Sequence, residues 1–168
     1  IAGELQNSPY WLPAQFGLAQ ILLQRGRHEE ALQAFQKVRA RQPNSPWAMR
    51  AWFQEGEIYF TNLRVIDRAM AAYMKVYEKY SSEPERVEAI FRLGDCALAQ
   101  NDFARTAEWY GRARQNAPSI VNDKVSYRLA RLEFYQGHFR EAQKLLDAIV
   151  SSPQPVVPPE RNESIVND

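Results

Sequence analysis

Cysteine is nearly absent: Cys96 is the only one in 168 residues, so no disulfide can close within the chain and no cysteine-rich metal motif can be built. Histidine is almost as scarce. His28 and His138 are the only two, and neither has a cysteine or carboxylate at metal-ligand spacing. No phosphate-cradling glycine loop, Gly-x-Ser-x-Gly turn or His-Glu-x-x-His helix occurs. The sequence therefore gives no constellation for catalysis, a metal or a cofactor, and the expectation is a protein that is not an enzyme. An excess of charge is missing as well: 21 basic and 20 acidic residues leave a net charge of +1, with no run of five like charges. That lacks the electrostatic footprint of a nucleic-acid or anionic-membrane partner. No stretch approaches the roughly 18 apolar residues of a membrane span, which argues against direct membrane insertion.

What is present is the balance of a folded domain, with 45% hydrophobic and 24% charged residues. A chain of this size can bury a continuous core without staples. The apolar residues follow a repeating grammar: an apolar and a small residue side by side, a turn, a small residue, then an aromatic or aliphatic four positions on. In the first unit Leu18 and Ala19 precede Leu22, the turn Arg25-Gly26-Arg27, then Ala31, Phe35, Val38 and Pro43. The second has Trp52, Gly56, Tyr59, a turn around Asn62, then Ala69, Tyr73 and Val76. The third has Leu93, Gly94, Ala97, the turn Asn101-Asp102, then Ala107, Tyr110, Ala113 and Pro118. The fourth has Leu129, Ala130, the turn Gly137-His138, then Ala142, Leu146, Ile149 and Pro153. Ala19, Gly56, Gly94 and Ala130 lie 37, 38 and 36 residues apart.

The pattern resembles the tetratricopeptide repeat, whose signature is a Trp, a Leu-Gly pair, a Tyr, then Ala, Phe or Tyr, and Pro. Trp52, Gly56 and Tyr59 stand in register with it, as do Leu93-Gly94, Tyr110, Ala113 and Pro118. Glu55 replaces the expected Leu, Thr106 the usual Ala, and one extra residue sits in the second turn. The resemblance implies an all-α, right-handed α-solenoid of four helix pairs. The periodicity predicts helices near 13–25, 28–41, 45–61, 65–80, 83–100, 102–116, 119–136 and 138–151. Ser45 and Asp102 are candidate N-caps, and Gly26 and Gly137 fit the turns.

The expected organisation is an N-terminal segment at 1–12, repeats at 13–44, 45–82, 83–118 and 119–152, and a proline-rich linker or start of a further helix at 153–168. Four prolines fall in the nine residues from Ser151 to Pro159. Asn162 could cap such a helix, and Asn162-Glu163-Ser164 matches a glycosylation acceptor by letters alone. Opening at Ile1 without a methionine, the chain is expected to be a processed form or a piece of something longer.

The resemblance places the functional face on the first helix of each pair. One position there reads Phe16, Phe53, Phe91 and Tyr127, and seven residues later come Leu23, Phe60, Leu98 and Phe134. Between them lie Gln20, Glu57, Asp95 and Arg131. The groove candidates are Phe53, Glu57, Phe60, Phe91, Asp95, Tyr127, Arg131 and Phe134, and the rings could equally close the seams between repeats. Glu57 and Asp95 are expected to repel the carboxylate tails that chaperone-binding relatives hold. The function this implies is a protein-protein interaction scaffold that takes a peptide or protein segment in its groove. The alternative is a structural spacer or self-association segment of a longer solenoid. Junctions such as Pro43-Asn44-Ser45-Pro46 and Tyr80-Ser81-Ser82-Glu83-Pro84 are similar in style to bacterial envelope members of the family, of the outer-membrane assembly and cell-division coordinator type. That points to the periplasm or cell envelope over the cytoplasm.

Overall fold

The computed structural model describes residues 8–80, 84–116 and 122–151. Within them the chain forms eight helices: α1 (Trp11–Gln24), α2 (His28–Arg41), α3 (Pro46–Glu57), α4 (Ile66–Lys79), α5 (Pro84–Ala99), α6 (Phe103–Asn116), α7 (Asn122–Tyr135) and α8 (Phe139–Val150). They pair as α1/α2, α3/α4, α5/α6 and α7/α8 and stack into a solenoid. Pro118, Pro153, the linker and the possible ninth helix lie outside the described residues.

The second helices of the first three pairs each bury one stripe at helical spacing. In α2 this is Ala31, Ala34, Phe35 and Val38, in α4 Ala69, Ala72, Tyr73 and Val76, and in α6 Thr106, Trp109, Tyr110 and Ala113. The buried small residue of the third pair is thus Thr106, whose hydroxyl donates to the Asp102 carbonyl at 2.7 Å; Ala107 is exposed. Opposite each stripe the first helix offers a small residue. A Cβ at Gly56 would stand 2.7 Å from Tyr73 Cδ1, and one at Gly94 would stand 2.6 Å from Tyr110 Cδ1. The glycines therefore let each ring lie flat on the neighbouring backbone. Burying such a ring is worth roughly 2–3 kcal/mol.

The expected caps are in place: the Ser45 hydroxyl accepts from Ala48 N at 3.1 Å, and Asp102 Oδ1 accepts from Arg105 N at 3.0 Å. All four hairpins turn through a left-handed residue, namely Gly26, Arg64, Asn101 and Gly137. The second turn is consequently centred two residues beyond Asn62. The difference arises because the extra residue is absorbed before the turn, in a π-helical segment, Ile58–Asn62, where Leu63 N bonds Ile58 O.

Glu55, in the Leu position, is buried against the first seam. Arg39 of α2 pairs with it, Nη2 donating to Oε2 at 3.0 Å, while the guanidinium stacks 3.4 Å from the Trp52 ring centroid. Burial pushes the Glu55 carboxyl up to about 7, against the opposing pull of Arg39.

Candidate functional site on the first-helix face

The predicted aromatic positions are graded along the stack. Phe16 and Phe91 are buried; Phe91 is capped by Lys124 and Arg128, at 4.9 and 4.8 Å from its ring centroid. In this arrangement it offers no ring face to a ligand. Phe53 is half-buried and meets Tyr73 edge-on at 5.5 Å. Phe60 packs on the core and also borders the groove. Tyr127 and Phe134 are exposed, and Phe134 contacts Phe139 at 5.5 Å at the α7/α8 turn. The stripe is thus packed in the first three repeats, with Phe60 at the groove's edge, and exposed in the fourth.

The acidic positions are tied into the junctions. Glu57 accepts from the Tyr73 hydroxyl at 2.7 Å and from Arg92 Nη2 of the next repeat at 3.0 Å. Asp95 repeats the motif one unit on, accepting from Tyr110 Oη at 2.7 Å and from Arg128 Nε and Nη2 at 3.3 and 3.2 Å. Arg92 also lies 3.5 Å from Asp95, joining the two sets. Burial, reinforced by the adjacent carboxylates, raises both phenols, so they stay protonated donors. Arg92 is raised too: burial opposes its charge, but the acids led by Glu57 outweigh it.

This corrects the expected electrostatics. Glu57 and Asp95 are neutralised by Arg92 and Arg128, so they do not present two bare carboxylates. A groove of about 560 Å³ opens beside them, with Arg92, Arg128 and Arg131 converging on it between walls that include Phe60, Leu98 and Tyr135. Three guanidinium groups against Glu57 and Asp95 leave one cation in excess. Arg131 is the exposed one, 5.9 Å from the Tyr135 ring centroid. The sequence reading missed Arg92, Arg128 and Tyr135. A signal existed, since Arg92 and Arg128 directly follow the aromatic position in consecutive repeats.

Other reactive groups have structural places. Cys96 is buried in α5, and burial followed by the Asp95 charge pushes its thiol up to about 12, leaving no thiolate to react. His28 begins α2 and His138 immediately precedes α8, its ring Nδ1 2.8 Å from Glu133 Oε2. Among the described residues no cluster could hold a metal ion, and no helix is long and apolar enough to cross a membrane.

Comparison with known proteins gives one consistent likeness. One tetratricopeptide-repeat family model matches residues 13–46 and 53–119, and a second matches 97–155. The TPR repeat-containing protein PA4667 of Pseudomonas aeruginosa is 27% identical over 133 residues, covering 78% of this chain and 22% of its own length. The chain thus spans about a fifth of that relative. Among solved structures, BtubC from P. vanneervenii superposes with a TM-score of 0.70 at 19% identity, over 94% of this chain and 70% of that one. A Podosopora anserina protein with nearly identical TPR-like repeats gives 0.68 at 20% identity, over 85% and 74%. MamA from Desulfovibrio magneticus RS-1 gives 0.65 at 15% identity, over 84% and 75%.

Proposed function

Because this chain belongs to the tetratricopeptide-repeat family, whose members are generally non-catalytic modules for protein-protein interaction, we propose that it binds a segment of a partner protein along α3, α5 and α7. An acidic group of that segment meets Arg131, and an apolar neighbour rests against Leu98 and Tyr135. The observation that carries this reading is the groove itself, where an exposed guanidinium stands beside apolar walls after both acids have been matched by arginines. Guanidinium pairs with carboxylate in a bidentate fork, and aromatic side chains supply contact area at low entropic cost. Balanced net charge disfavours nucleic acid as the partner. The junction style favours an envelope location, which fractionation of the native cell would test.

The test is a selection of random displayed peptides against the wild type and an Arg131→Glu/Tyr135→Ala variant. Both replaced side chains are exposed, so the fold should persist. Selected peptides should combine Asp or Glu with apolar residues and lose affinity at least tenfold on the variant, about 1.4 kcal/mol. Peptides that bind the variant equally well would overturn the proposal.

A further inference from the structure

The junction between the first two helix pairs is built differently from the two that follow it. Among the described residues the buried apolar side chains fall into two sets that meet at α3. Ala51 of α3 and Ile58 just beyond it belong with Phe35 and Val38 of the first pair. Met49 of α3 belongs to the set that runs through Tyr73, Phe91 and Tyr110 to Val125. The acid–tyrosine–arginine tie is missing at this junction as well, since Gln20, Phe35 and Gln54 stand where the next one has Glu57, Tyr73 and Arg92.

Between the two apolar sets the link is ionic. Glu55 occupies the position that Leu93 and Leu129 hold in the following repeats, and its side chain is only 7% exposed. Arg39 reaches it from α2, and the same guanidinium lies on Trp52, which packs against the larger set. Tyr80, just after α4, is the other titratable group beside this pair: burial raises its phenol against the pull of Arg39, and its hydroxyl donates to the Pro43 carbonyl at 2.8 Å. Helix α1, Trp11–Gln24, carries no charged residue. An enclosed carboxylate with one cationic partner gains water when the seam parts, whereas the neutral acid does not need it. Because burial holds the Glu55 carboxyl up to about 7, the closed seam keeps its proton at pH values where the open one has already released it.

We propose that the junction between α2 and α3 is a pH-sensitive joint, at which α1 and α2 open together from the rest of the stack, more readily as the pH rises to neutrality and above. The joint lies wholly inside the chain, between two described helices. It works as a local opening unit whose stability is lower than that of the tied repeats beside it. Closing is favoured on the acidic side, where Glu55 is neutral and the seam holds no unmatched demand for water.

Backbone amide hydrogen exchange, followed by NMR from pH 5.5 to 7.5 and corrected for the intrinsic rate, tests this on the full chain. Amides of Ala34, Phe35 and Val38 report the first pair, and those of Trp109 and Tyr110 report the tied repeats. At pH 7.5 the first group should exchange through a more frequent opening than the second. Its opening constant should rise more than about tenfold across the range. Glu55→Gln removes the titration and should make that profile flat. Should the Gln variant leave Arg39 unmatched and fail to fold, Glu55→Leu/Arg39→Met removes both charges, restores the leucine of the later repeats and should be flat too. A first pair as protected as α6 at pH 7.5, a flat wild-type profile, or a slope that survives replacement of Glu55 overturns the proposal. Neither Glu55 nor Arg39 lines the groove, so the result does not depend on what binds there.

Discussion

Gly94 and Gly111 belong to the two helices of one pair and should respond oppositely to the same added methyl group. At Gly94 the new Cβ would run into the ring of Tyr110, which is buried and held by its bond to Asp95. At Gly111 nothing lies within 4 Å. Gly94→Ala should destabilise by about 1–3 kcal/mol through overpacking. Gly111→Ala should stabilise by about 0.5–1 kcal/mol because alanine is the better helix former. Urea titrations of the two variants against wild type check both signs. Glu55 gives a second prediction at this scale. Its folded pKa of about 7 lies above the ordinary value of 4.5, so between those values the native state holds more proton than the unfolded one. Its contribution to stability is therefore fully present below about pH 4.5 and is lost as pH rises through 7. The stability difference between wild type and Glu55→Gln should shift against wild type over that window, by at most about 3 kcal/mol, and level off above it. A difference that stays flat from pH 4.5 to 8 would refute the assignment.

Among the elements, the second repeat shows what spacing tells and what it hides. The sequence reveals one surplus residue between Tyr59 and Ala69 but not where the chain absorbs it, because a longer turn and a π-helical bulge have the same length. The structure chooses the bulge, which keeps Ile58 buried and moves the left-handed residue to Arg64. Deleting exposed Thr61 should convert the bulge to regular α-helix at a cost under about 1 kcal/mol, since no buried side chain is lost. Deleting Ala97 from α5 should unfold the protein, because every later side chain of that helix rotates by about 100° off its seam. Thermal melts of the two deletions separate these outcomes. The helices themselves were readable for the opposite reason. Ala31, Phe35 and Val38, or Ala69, Tyr73 and Val76, state their period locally, and Gly26 and Gly137 mark the turns outright. The salt links were not readable this way. Arg92 and Arg128 find their acids in the preceding repeat, so a reading of each helix alone weighed Glu57 and Asp95 without their partners.

At the scale of the whole molecule, the seams consume most of what the sequence offered as a binding surface. Phe91 is core, Glu57 and Asp95 are braces, and the surface left for a ligand shifts toward α5 and α7, around Leu98, Arg131 and Tyr135. The interior repeats are tied on both sides by rings, glycines and the acid–tyrosine–arginine links, and the proposed binding mode calls for a partner segment that orders against them. The most direct measurement of this account is an amide NMR titration of the labelled protein with an acidic, apolar-containing peptide taken from the selection. Shifts concentrated around Leu98, Arg131 and Tyr135, and abolished by Arg131→Glu/Tyr135→Ala, are predicted; shifts confined to the exposed faces of α2, α4 and α6 would contradict it.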